Sequence, residues 1–198
     1  MARSSDQREF SEMGDTGDVV EASVPESDDA PDRVLPENVL LSSLVDPFDE
    51  VEAEECKYAS SETTYHRIAI SPSDWVAFAA HALAIGFDTF IDLFAVDHLQ
   101  EAPRFEVTLN LLSMTANERI LVTTRVPYDD PSVSTLTGVF AGANFYEREA
   151  YDLLGVEFPG HPDLTRILMP DDWEGHPLRK DYDIGAVPVQ FKVGSSDL

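Results

Sequence analysis

The stretch after Gly155 sets the terms on which this chain can fold. Between residues 156 and 198, proline or glycine stands at positions 159, 160, 162, 170, 175, 177, 185, 188 and 194, so neither a long helix nor a central strand fits. Yet the segment carries fourteen large apolar side chains: Val156, Phe158, Leu164, Ile167, Leu168, Met169, Trp173, Leu178, Tyr182, Ile184, Val187, Val189, Phe191 and Val193. Burying these by self-packing returns less free energy than fixing so many backbones costs. The segment therefore reads as an extended tail that lies along a second polypeptide and is ordered by it.

The residues before it read as one compact domain. With 43% hydrophobic and 26% charged residues the composition is globular. Residues 38–45 suit a short helix, and Val51 to Tyr58 with Thr64 to Ile70 suit a hairpin. Ser71 as N-cap, Pro72 at the first helical position, Asp74 as the acid of a capping box and Gly86 as a stop predict a helix over 72–85. Its stripe Trp75, Ala79, Ala82 and Leu83 is spaced for burial, with His81 on the flank. Phe87 to Asp97 suits a strand, and Phe105, Val107, Leu109 and Leu111 alternate with Glu106, Thr108 and Asn110 as on a half-buried strand. Ile120, Val122, Thr124 and Val126 repeat that period, and the link Ser113 to Glu118 makes a hairpin.

A turn over Ser134 to Phe140 is expected to precede a helix over 144–154, capped by Asn144 with Glu147 completing the box, and ended by Gly155. Tyr146, Ala150, Leu153 and Leu154 form its buried stripe, which leaves Glu147, Arg148, Glu149 and Asp152 on an ordinary solvated face. The fold class is α+β: a two-layer sandwich, mostly antiparallel sheet with helices on one face, plus the long extended C-terminal tail. The boundaries read as a disordered acidic leader over 1–36, the domain over 37–155 and the tail over 156–198.

Charge and chemistry narrow the function. Thirteen Lys and Arg stand against 38 Asp and Glu, a net charge of −25, so nucleic acid and anionic lipid are repelled. The apolar run Trp75 to Ile85 is about half the ~20 residues that span a bilayer, and residues 1–15 lack the pattern of a secretory signal. Cys56 is the single cysteine, so the chain builds neither a disulfide nor a four-cysteine cluster, and its acidic neighbours make it a poor nucleophile. No GxGxxG, GxxxxGK[ST] or GxSxG occurs. His161, Asp163, Asp171, Asp172, Glu174 and His176 would supply a metal-dependent hydrolase on paper. Their spacing on irregular chain matches no ligand motif, and turn hydrogen bonding explains them more simply.

One resemblance goes further. The run Glu147-Arg148-Glu149, Tyr151-Asp152, Gly155, Phe158, Gly160-His161-Pro162-Asp163-Leu164, Arg166-Ile167-Leu168 and Asp172-Trp173-Glu174-Gly175-His176-Pro177-Leu178-Arg179-Lys180-Asp181-Tyr182 resembles the C subunit of proton-pumping NADH:quinone oxidoreductase, respiratory complex I. A looser likeness reaches back through Asp92 to Asp97 and the two following strands, and forward over Gly185 to Lys192. Phe145, Thr165 and Asp183 depart from the usual tryptophan, basic residue and proline.

The resemblance implies a peripheral-arm scaffold subunit without a cofactor of its own, packed on the D subunit and near the B subunit beside the quinone pocket. FMN, the iron–sulfur clusters and quinone would be held by partner subunits, and the complex would lie at the cytoplasmic face of the cell membrane. Glu147, Arg148, Glu149 and Asp152 would orient the junction of domain and tail. Arg166, Arg179 and Lys180 would pair with partner carboxylates, Trp173 and Leu178 would be apolar anchors, and His161, Asp163, His176 and Asp181 would join the partner-binding set. Related subunits of membrane-bound hydrogenases and of deazaflavin- or ferredoxin-fed complexes share the motif, and a stand-alone metal hydrolase is a third reading.

Overall fold

A computed structural model describes residues 39–60 and 63–183. The acidic leader and the end of the tail, from Ile184 on, lie outside the described residues. The elements are α1 (Val39–Val45), β1 (Val51–Lys57), β2 (Thr64–Ile70), α2 (Trp75–Ile85), β3 (Thr89–Asp97), β4 (Phe105–Ser113), β5 (Glu118–Val126) and α3 (Ala143–Leu154). None of these helices is long and apolar enough to cross a membrane.

The five strands form one sheet in the order β1-β2-β5-β4-β3. Both hairpins are antiparallel as expected, with Val51 opposite Ile70 and Leu109 opposite Val122 and Leu93. The pair β2–β5 is parallel, with Ile68 opposite Val122. Connectivity explains it: α2 carries the chain across to the far edge, and β3, β4 and β5 meander back until β5 meets β2.

The core lies between the sheet and the helices, where Phe105, Val107, Leu109, Leu111, Ile68, Ile120 and Val122 meet Trp75, Phe78, Ala79 and Ala82 of α2 and Leu41 and Leu44 of α1. Phe78 takes the place expected of Leu83, which is exposed. His81, on the flank of α2, bonds through Nε2 to the carbonyl of Ser43 at 2.9 Å.

Three sequence expectations are corrected. The polar residues of β4 are buried, because β4 lies inside the sheet and Arg67 and Arg125 close over Glu106 at 2.8 and 3.2 Å. Residues 71–74 form a turn rather than the start of α2, and Ser71 Oγ accepts the Ser73 N–H within that turn. In α3 the N-cap is Gly142, not Asn144, because the Glu147 carboxylate is turned away from the helix start toward Thr135 and Leu136.

Candidate partner-docking site

The α3 residues that read as a solvated face in the sequence include two buried carboxylates and an arginine bonded to the tail. Glu147 and Asp152 are both fully buried. Glu147 meets the segment that leads into α3 and Asp152 meets the tail that follows it, so each carboxylate satisfies backbone that no strand or helix satisfies.

Glu147 accepts the Thr135 hydroxyl at 2.5 Å and the Leu136 N–H at 2.6 Å, which fixes the segment leading into α3. Burial pushes its carboxyl up, and these two hydrogen bonds only partly offset that. Arg148 points to the tail, donating from Nε to the Thr165 carbonyl and from Nη2 to Thr165 Oγ1 and the Arg166 carbonyl, each at 3.0 Å. Glu149 is exposed.

Asp152 gathers four donors. Its Oδ1 accepts Arg166 Nη1 at 2.6 Å, and its Oδ2 accepts the N–H groups of Ile167, Leu168 and Met169 at 3.0, 2.7 and 2.8 Å. Burial alone would raise this carboxyl. The Met169 and Leu168 amides, the Arg166 guanidinium and the Ile167 amide outweigh burial and hold it below the usual carboxylate range.

The tail also caps the helix. Ending at Gly155 (φ +72°), α3 leaves its last carbonyls without intrahelical donors. His176 Nδ1–H donates to the Asp152 carbonyl at 3.0 Å, the Leu178 N–H to that of Leu153 at 2.9 Å, and Arg179 Nε to that of Leu154 at 2.7 Å. Placing two guanidinium groups, those of Arg166 and Arg179, at this end also suits the helix dipole.

A second clasp holds the tail at Lys180 and Asp181. Arg104 binds Asp97 through two hydrogen bonds of 2.7 Å and Asp181 through two of 2.9 and 2.8 Å, while the Lys180 N–H donates to Asp97 Oδ2 at 2.8 Å. Arg104 lies 4.8 Å from the Tyr128 ring centroid, and Arg179 shares that ring at 5.6 Å. The Arg104 guanidinium holds Asp97 and Asp181 below the usual carboxylate range.

Arg166 and Arg179, expected to pair with partner carboxylates, bond within the chain to Asp152 and to the Leu154 carbonyl. Through residue 183, the hydrogen bonds that order the tail come from its own domain, although the tail forms no helix or strand there. The two histidines of the metal-hydrolase reading are engaged in hydrogen bonds. His161 Nδ1 accepts the Asp163 N–H at 3.0 Å and its Nε2 faces the Asn144 carbonyl at 3.1 Å, so the ring has no lone pair left for a cation. His176 packs edge-on against Tyr151, and burial lowers its pKa.

Of the remaining expected residues, Trp173 is half-buried, Asp163, Lys180 and Asp181 are exposed, and Leu178 is 57% exposed. Sequence reasoning missed Asp97, Arg104 and Tyr128. Arg104 had one signal, as one of only 13 basic residues in so acidic a chain.

The family model described as respiratory-chain NADH dehydrogenase, 30 Kd subunit, matches residues 68–187. The C subunit of NADH-quinone oxidoreductase from Roseiflexus sp. (strain RS-1) is 51% identical over 105 residues, covering 53% of this chain and 60% of the relative. NADH-quinone oxidoreductase subunit 5 of Thermus thermophilus is 44% identical over 124 residues, 58% and 60% of the two chains. The matched part thus spans about three fifths of the length of these relatives.

Among solved structures, the trypsin-resistant fragment (1-134) of Nqo5 superposes with a TM-score of 0.52 at 31% identity, over 58% of this chain and 89% of the fragment. A chain of the membrane-bound sulfane sulfur reductase, an archaeal respiratory membrane complex, shares the fold with a TM-score of 0.65 at 20% identity, over 80% and 96% of the two chains.

Proposed function

Because the chain belongs to the family of the respiratory-chain NADH dehydrogenase 30 Kd subunit, we propose that it is a non-redox scaffold subunit of a proton-translocating NADH:quinone oxidoreductase. In this reading it docks on the D subunit, close to the B subunit and the quinone site, through α3 and the tail. FMN, the iron–sulfur clusters and the quinone belong to the partners. The chain reaches the cytoplasmic face of the cell membrane only through the complex.

The observation that carries the reading is the contrast between the two sides of the tail. Its backbone amides at 167–169 and 178 and the guanidinium groups of Arg166 and Arg179 are bonded to α3, while Leu168 and Leu178 stand 59% and 57% exposed. A tail pinned in place with two leucines outward is built to be covered. The test is affinity purification of the full chain from detergent-solubilised membranes. The D and B subunits are expected to come with it in equal amount, and recovery of the chain alone would overturn the proposal.

A further inference from the structure

We propose that Leu168, with Ile167 beside it, is an apolar knob that enters a pocket rimmed by Lys and Arg on the neighbouring subunit, and that Asp152 is the residue that positions it. This deepens the scaffold reading and rests on it, by naming the surface that docks and the chemistry it meets.

The knob follows from the way five consecutive residues are held. The carbonyls of Thr165 and Arg166 are taken by Arg148, and the N–H groups of Ile167, Leu168 and Met169 all converge on one oxygen of Asp152. Successive amides that point at one anion turn their side chains away from it. Ile167 and Leu168 are accordingly 38% and 59% exposed. Arg166, between them and the helix, is fixed by Asp152 Oδ1 on one side and by the Gly175 carbonyl, 3.0 Å away, on the other. The backbone beneath the knob is thus set before any partner arrives, which lowers the ordering cost of binding.

Charge identifies the occupant. Asp163, Asp171, Asp172 and Glu174 are exposed on the same segment and form no ion pair among the described residues, whereas Arg166 and Arg179 are occupied within the chain. The exposed charged residues of the segment 163–174, which contains the knob, are all acidic, so the complementary surface is an apolar pocket with a cationic rim on a protein. A bilayer of anionic lipid has the wrong sign.

The experiment titrates full-length chain against a complex assembled without it, following association and dissociation at several salt concentrations. Leu168→Ser removes the knob from a site already open to solvent. It is expected to weaken binding roughly 30-fold, chiefly through faster dissociation. Neutralising the rim with Asp171→Asn, Asp172→Asn and Glu174→Gln together is expected to flatten the salt dependence of association.

Asp152→Asn is measured alone and in the Leu168→Ser background, with Arg148→Gln as a second way of loosening residues 165 and 166. If Asp152 acts through the knob, either loosening variant weakens binding in the wild-type background and adds little once Leu168 is gone. Full additivity would overturn the positioning role. Unchanged affinity of Leu168→Ser would overturn the knob while leaving the scaffold reading intact, and failure of the wild-type chain to bind at all would overturn the scaffold reading itself.

Discussion

Asp152→Ala tests the physical basis of the tail most directly. The substitution leaves the Arg166 guanidinium and the N–H groups of Ile167, Leu168 and Met169 without their acceptor. Hydrogen bonds to a charged group contribute about 1.5–3 kcal/mol each, so four of them set a ceiling of roughly 6–12 kcal/mol. The buried carboxylate carries a desolvation penalty of several kcal/mol, which the variant escapes. The net loss is expected to be about 3–5 kcal/mol, in the range measured for deleting one partner of a buried ion pair.

That is a large share of the ~5–15 kcal/mol that holds a domain of ordinary stability. It should appear first as local opening, since the tail can leave without unpacking the sheet. The assays are amide hydrogen exchange resolved to single residues, together with urea unfolding. Protection at 167–169 should vanish, and protection at Leu178, whose N–H caps Leu153, should fall with it. Amides at 167–169 that exchange as slowly as in the parent chain, with a stability loss under about 1 kcal/mol, would refute the account.

Three further outcomes follow from the same geometry. Arg104→Met strips the guanidinium from Asp97, which is 3% exposed, and should cost about 3–5 kcal/mol in a urea titration; Arg104→Lys should not rescue it, because one ammonium cannot reproduce two bidentate pairs. Asp97, Asp152 and Asp181 all have lowered pKa values, so the stability they contribute is present above the ordinary carboxylate range and lost as pH falls through their folded values, below about pH 4, whereas Glu147 has the opposite sign and loses its contribution as pH rises above that range. Glu147→Gln should therefore flatten the stability profile above the ordinary carboxylate range while staying within about 1 kcal/mol of the parent near pH 5. Gly155→Ala meets both a positive φ and a Cβ position already filled by Arg179 and His176, and should release the helix cap, visible as lost protection at Leu178.

The strands of the sheet and the ends of α2 and α3 at Gly86 and Gly155 are legible in the chain, because periodicity and glycine report local backbone preference. The parallel β2–β5 pair is not legible, since the same hydrophobic pattern serves either direction and only the path through α2 decides it. Nor does the pattern reveal that Glu147 and Asp152 are buried: a carboxylate on a helix reads as solvated until its donors are known, and those donors lie 11 to 17 residues away.

By itself the sequence determined the α+β plan, the breaks that keep the tail irregular, and the family motif from Glu147 to Tyr182. Tertiary structure alone decided where that tail obtains its hydrogen bonds. An irregular backbone must find donors and acceptors somewhere, and whether they come from a partner or from the chain's own helix depends on distances that no linear spacing encodes. Here Asp152 and Asp97 supply acceptors from within, and apolar side chains such as Leu168 and Leu178 are left outside.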